Sequence, residues 1–167
     1  MKKKLKILSI MTAFVMMLTM ASPILHTTAA ETKDTWILDE YLPYINEVCS
    51  EYNICPELVM AIIEQESSGQ SDAVNGDSKG LMQISERWHK DRMERLGVTD
   101  LFDPYSNILV GVDYLSELAA EDDDLYTVLM IYSGTADAVK RGETGDWSDY
   151  AKEVVARSAE LERLHGK

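Results

Sequence analysis

The sequence predicts an all-α protein, a compact bundle of about six helices, on three observations. Apolar residues recur at helical spacing through most of the chain after about residue 36. Pro56, Pro104, Ser148 and several acids stand where helix starts need them, and Gly97 stands where a helix must stop. No segment alternates apolar and polar residues as a half-buried strand does, apart from a short hairpin signal in the Gly-rich stretch 70–80.

The chain opens on Lys2, Lys3, Lys4 and Lys6, then runs apolar from Ile7 to about Leu25 and reaches small residues ending at Ala30. Basic, apolar and small-residue regions in that order are the pattern of a secretory signal peptide over residues 1–30, which predicts an extracytoplasmic protein. The alternative is a retained membrane anchor, but Ser9, Thr12, Thr19, Ser22 and Pro23 break a run that is near the lower length for a span. Residues 31–36 read as a short tail and residues 37–167 as a single domain.

Within that domain Ile45, Val48, Cys49 and Tyr52 share one stripe, so the first helix ends near Tyr52. Pro56 takes a first helical position with Glu57 in the first turn, and this second helix runs to about Ser67. It is apolar almost all round until its last turn, which marks it as the central buried helix. A loop of Gly, Ser, Asn and Asp covers residues 68–80. A short helix follows and stops at Gly97; the next starts near Pro104, with Ile108, Val112 and Leu115 in register. The acidic run Glu121 to Asp124 reads as helix-start residues matched to the macrodipole of the apolar helix behind it. Ser148 caps a terminal helix that turns Tyr150, Val154, Leu161 and Leu164 inward.

The 167 residues carry a net charge of −13, and loss of residues 1–30, with four Lys and no acid, would leave −17. A surface so acidic excludes a nucleic-acid backbone or an anionic membrane as a charge-held partner. Cys49 and Cys55 leave two readings open: a disulfide across a short turn in an oxidising compartment, or two small buried residues. His89 and His165 have no partner at ligand spacing, so no metal and no cofactor is expected.

The chemistry concentrates in "AIIEQESSGQSDAVNGDSKGLMQI", residues 61–84, where an apolar helix ends on Glu64, Gln65 and Glu66 beside a Gly-rich loop. A carboxyl held there is partly desolvated, which raises its pKa and keeps a donatable proton near neutral pH. Glu66 is better placed than Glu64, since it lies on the side of Val59, Ile62 and Ile63. Gln83 returns an amide among apolar residues, and Tyr132 closes a later helix with a phenol able to bond a carboxyl.

Four stretches, "AIIEQESS", "GLMQI", "DPYSNILVGVDYLSEL" and "LMIYSGTADAVKRG", resemble in order and spacing the SLT domain of bacterial lytic transglycosylases. That family has a lysozyme-like fold related to goose-type lysozyme, and the resemblance covers about residues 45–150. It implies that Glu66 is the sole catalytic acid and base and that Ser67 helps order the site. It implies that Gly80, Leu81, Met82, Gln83 and Ile84 line a glycan groove and that Tyr132 sits over the carboxylate. The chain departs from the family pattern at Ser133, where Asn is usual, and at "GTADAV", residues 134–139, which lacks the usual Pro and two Gly.

The activity implied is cleavage of peptidoglycan strands between N-acetylmuramic acid and N-acetylglucosamine with closure of a 1,6-anhydro ring. A monomer that opens the wall beside an envelope-spanning secretion or conjugation complex is implied in the same way. A hydrolysing muramidase would need a second carboxylate, with Asp72, Asp77 and Asp103 as candidates. A catalytically weak glycan-binding scaffold is the reading that Ser133 favours. Trp36, Trp88 and Trp147 are candidates to stack on sugars or to edge a core, and Trp88, close behind "GLMQI", is the best placed.

Overall fold

The computed structural model describes residues 36–167. The signal-peptide reading and the tail lie outside these residues, except that Trp36 already opens the first helix. Among the described residues no helix is long and apolar enough to cross a membrane.

Helix α1 (Trp36–Tyr52) buries Tyr41, Ile45, Val48 and Cys49 on the stripe the sequence marks. Asn53 leaves it in a left-handed conformation, φ 55°. Helix α2 (Pro56–Ser67) begins on the expected proline and ends where Ser68 turns left-handed, φ 52°, its N–H bonding the Glu64 carbonyl. Every residue from Leu58 to Ile63 is buried, so α2 is the axis of the core. It packs most extensively on α7 (Asp149–Leu164), while α1 packs on α4 (Pro104–Glu121).

Between α2 and α3 (Glu86–Leu96) lies a small antiparallel sheet, β1 (Val74–Asn75), β2 (Ser78–Lys79) and β3 (Ile84–Ser85), paired in that order. Gly76, at φ 60°, supplies the positive φ that the tight β1–β2 hairpin needs. The hairpin is the one the sequence signalled, whereas β3 grows out of the "GLMQI" stretch and carried no alternation to announce it.

The start signals act as predicted. Asp103, Asp124 and Ser148 accept from the backbone N–H of Ser106, Thr127 and Ala151, capping α4, α5 (Leu125–Tyr132) and α7. Glu121 is the last residue of α4, so the acidic run divides between the end of one helix and the start of the next. Seven helices stand among the described residues, because α6 (Ala138–Glu143) adds a turn and a half that is too short for a periodic pattern. Its Gly142 lets α5 approach: a Cβ there would lie 1.9 Å from the Thr127 hydroxyl. Leu164, expected inside, is 49% exposed on the last turn of α7. Cys49 and Cys55 are both free thiols.

Candidate active site

Glu66 occupies the last turn of α2, half-buried, in a cavity of about 270 Å³. Asn75 and Ser78 of the hairpin, Gln83, Tyr132, Ser133 and Tyr150 complete its walls. Glu66 is the only acid among them. Burial raises its pKa above the ordinary carboxylate value, and a hydrogen bond from Tyr150 partly offsets that rise. The Tyr150 hydroxyl donates to Glu66 Oε1 at 2.6 Å.

Tyr150 is the site residue that sequence reasoning missed. It was read as an inward residue of the last helix, which it is, but its ring delivers a phenol to the carboxyl rather than filling the core. The signal was present in its chemistry: a tyrosine turned into a packed interface needs a partner for its hydroxyl. Burial and the nearby Glu66 carboxylate push its own pKa up, so it remains a donor.

Tyr132 lines the same cavity but bonds elsewhere. Its hydroxyl donates to the Met82 carbonyl at 2.9 Å, and its ring stacks on Tyr114 at 5.4 Å between centroids. The phenol expected to bond the carboxyl therefore fastens α5 to the "GLMQI" turn, and Tyr150 takes the bond to Glu66.

Of the "GLMQI" residues only Gln83 lines the cavity with its side chain; Gly80, Leu81, Met82 and Ile84 are buried beneath it. Gln83 holds φ 49°, and its amide donates to the carbonyls of Ala73 and Gly80 at 3.2 and 2.9 Å, binding the turn to the hairpin. Gly80, at φ 75°, stands where a Cβ would come within 2.3 Å of the Asn107 amide. Asn107, fully buried in α4, is a second residue the sequence did not single out. It accepts from Met82 N–H at 2.7 Å and donates to the carbonyls of Lys79 and Leu101 at 2.8 and 2.9 Å. A lone amide inside the apolar face "NILV" was the available clue, since such a group must find partners.

Ser67 is buried and lies off the cavity. Its hydroxyl donates to the Ile63 carbonyl at 3.1 Å and accepts from Gly69 N–H at 3.2 Å, ordering the end of α2. Ser133 lines the cavity and donates to the Met130 carbonyl at 3.1 Å. The candidate second carboxylates are not brought in: Asp72 and Asp77 are exposed, and Asp103 caps α4. No cluster able to hold a metal occurs among the described residues.

The arrangement amounts to a single carboxyl, its pKa raised by burial, among neutral donors and acceptors. Comparison with known proteins bears on what such a site serves. A family model described as the transglycosylase SLT domain matches residues 43–154. A transglycosylase of Enterobacteria phage PRD1 is 35% identical over 91 residues, 54% of this chain and 33% of that protein. The membrane-bound lytic murein transglycosylase C of Serratia proteamaculans is 32% identical over 123 residues, 64% of this chain and 34% of that protein. The chain thus spans about a third of the length of these relatives. The solved structure of lytic transglycosylase Slt from Pseudomonas aeruginosa superposes with a TM-score of 0.61 at 18% identity, over 76% of this chain and 24% of that one. That likeness is one of fold, the helical lysozyme-like domain expected from the sequence. With the matched span running from within α1 into α7 and containing Glu66, Gln83, Tyr132 and Tyr150, the chain belongs to the transglycosylase SLT domain family.

Proposed function

We propose that this protein is a peptidoglycan lytic transglycosylase in which Glu66 serves first as acid and then as base. The observation that carries this reading is the solitary carboxyl: no other acid lines the cavity that holds Glu66. Two-carboxylate hydrolysis requires a second Asp or Glu at a set separation across the groove, and a single group suits a reaction that begins and ends on one residue.

In this mechanism the protonated Glu66 donates to the glycosidic oxygen between N-acetylmuramic acid and N-acetylglucosamine. The bond from that oxygen to the anomeric carbon breaks through an oxocarbenium-like state. The neighbouring N-acetyl group shields the anomeric carbon. Glu66, now a carboxylate, takes the proton of the same sugar's C6 hydroxyl, whose oxygen closes on the anomeric carbon as a 1,6-anhydro ring. No water is consumed. The raised pKa of Glu66 supplies the acid form for the first step, and the Tyr150 hydroxyl stabilises the carboxylate for the second.

The substrate class is supported by relatives named as lytic murein transglycosylases. Neutral lining groups on Asn75, Ser78, Gln83 and Ser133 suit hydroxyls and acetamido groups. We place the protein outside the cytoplasm at the cell wall, as the basic, apolar and small-residue order of residues 1–30 indicates. A role in opening the wall for an envelope-spanning machine rests on the family resemblance.

The test is mass spectrometry of the soluble muropeptides released from purified peptidoglycan by the protein and by its Glu66→Gln form. Anhydro-ended products from the unaltered protein alone support the transglycosylase. Reducing-end products mean a muramidase. Binding to the wall without products from either form means a scaffold and directs attention to Ser133.

A further inference from the structure

Asn75 and Gly76 form the one Asn-Gly step in the chain. The other asparagines, Asn46, Asn53 and Asn107, precede Glu47, Ile54 and Ile108. Asparagine is chemically labile, and a following glycine leaves it most open to attack, because no side chain shields the next backbone nitrogen. The fold sets this step at the tip of the β1–β2 hairpin, where both residues are exposed. Gly76, at φ 60°, has nothing within 4 Å of the place a Cβ would take. Among the described residues neither the Asn75 side-chain amide nor the Gly76 N–H has a hydrogen-bond partner. The ladder behind them is short, Val74 with Lys79 and Asn75 with Ser78, so the tip opens at little cost.

Asn75 also lines the cavity of Glu66. An acid formed at position 75 is therefore a second carboxyl in a space that holds one. The other lining residues, Ser78, Gln83, Tyr132, Ser133 and Tyr150, include no cation, and of these only the two phenols titrate. Asn75 and Glu66 bound one cavity of about 270 Å³, so a charge on either acts on the other within the roughly 10 Å over which salt screens.

We propose that Asn75 is a deamidation site whose conversion turns the one-carboxyl cavity into a two-carboxyl cavity. The Gly76 nitrogen gives up its proton and attacks the side-chain carbonyl carbon of Asn75. The bond from that carbon to the amide nitrogen breaks, ammonia leaves with the proton, and a succinimide ring closes. Water then opens the ring at one carbonyl to give aspartate, or at the other to give isoaspartate. Both products carry a carboxylate, and isoaspartate also lengthens the main chain where the hairpin turns. The new negative charge disfavours ionisation of Glu66 and adds to the effect of burial on its pKa. The protein thus carries a slow, one-way change beside its proton donor, set by time and alkalinity rather than by a partner.

The test ages the full chain in mildly alkaline buffer and maps its peptides by mass spectrometry, with fragmentation that separates aspartate from isoaspartate. Acid is expected to accumulate at position 75 while Asn46, Asn53 and Asn107 stay amides. An amide retained at position 75, or loss spread evenly over all the asparagines, overturns the site. The effect on Glu66 is read by NMR titration of its carboxyl carbon in the parent and in Asn75→Asp. The Glu66 midpoint is expected to shift to higher pH in the variant. An unmoved midpoint overturns the coupling, because the charge at position 75 then stays in solvent. Neither measurement uses turnover, so absence of anhydro products from the unaltered protein would sink the catalytic proposal and leave this one standing.

Discussion

Glu57 and Glu66 sit near opposite ends of α2, nine residues apart, and both are drawn out of water. At the N-terminal end burial works to raise the Glu57 pKa, but bonds from Lys167, His165 and Cys55 overcome it and bring the value down to about 2. The helix dipole adds in the same direction, since a carboxylate in the first turn faces unpaired N–H groups. At the C-terminal end burial wins. Glu66 has a neutral partner, Tyr150, and sits where the dipole disfavours negative charge, so its pKa rises. One residue type on one helix is thus held as an anion at one end and pushed toward its protonated form at the other. Burial is common to both; the neighbours decide. A buried glutamate beside the Lys167 cation is held as an anion, and a buried glutamate beside the Tyr150 phenol has its pKa raised.

Glu66→Gln tests the functional half directly. Replacing the carboxyl by an amide keeps the volume and the bond from Tyr150 but removes the proton relay. Release of muropeptides is expected to fall at least ~10³-fold, within the range for loss of a general acid and base. The fold should not suffer. A carboxyl whose pKa is raised in the folded state contributes stability fully below the ordinary value of 4.5 and loses it as pH rises through the folded value. Chemical denaturation above that window should find the variant at least as stable as the parent. Residual activity near the parent level would move the chemistry away from Glu66.

Glu57→Gln tests the structural half. It leaves Lys167 and His165, which bond Glu57 at 2.7 and 2.9 Å, without their anion. Both partners are partly exposed, so the loss is moderated by solvent, and about 2 kcal/mol of stability at neutral pH is expected. The pH dependence has the opposite sign to that of Glu66. A depressed pKa contributes stability above 4.5 that is lost as pH falls toward about 2. Urea midpoints measured between pH 2 and pH 6 should therefore rise steeply with pH in the parent and more gently in the variant, with turnover per folded molecule unchanged. A parallel pH slope in both proteins would mean that Glu57 is not the anion described.

Much of this contrast was legible in the residues. The apolar run from Leu58 to Ile63 announced a buried helix, and a carboxylate at its polar end beside a Gly-rich loop announced Glu66. Glu57 announced only a helix start, because its partners, His165 and Lys167, lie more than a hundred residues away and no local pattern joins them. The same holds for Tyr150 and Asn107. Each is placed by packing between helices distant in sequence, and periodicity reports which face is buried without reporting what that face meets. The misassigned bond of Tyr132 has this cause too: a phenol at the end of an apolar helix was evident, but its acceptor, the Met82 carbonyl, depended on how the "GLMQI" turn folds against α5. Helix α6 was invisible for a different reason, since six residues hold less than two turns of pattern.

Tyr150→Phe tests whether the neighbour sets the behaviour of Glu66. The lost hydrogen bond had favoured the ionised carboxyl, so the Glu66 pKa should rise further. In the pH profile of kcat/KM the limb at which the acid loses its proton should move to higher pH. Peak activity should fall about tenfold, the cost of one hydrogen bond that steadies a charged group. A tyrosine that served packing alone would reduce stability without moving that limb.

Glu64 supplies the third carboxyl of α2 and the weakest expected effect. It lies two residues before Glu66, yet it faces Arg157 of α7 in a two-pronged pair at 2.6 and 3.1 Å. Each side chain is 19% exposed, so the pair is partly screened, and Glu64→Gln is expected to lower stability by about 1 kcal/mol. Its bearing on the comparison lies in the pH profile. The pair fastens α7 to α2 along the same interface that carries Tyr150 to Glu66. If the direct partner of Glu66 governs its protonation, Glu64→Gln leaves the limb of the kcat/KM profile where it stands in the parent. If the limb shifts, the fit of α7 against α2 controls the distance from Tyr150 to Glu66, and the acid is tuned by the whole interface rather than by one phenol.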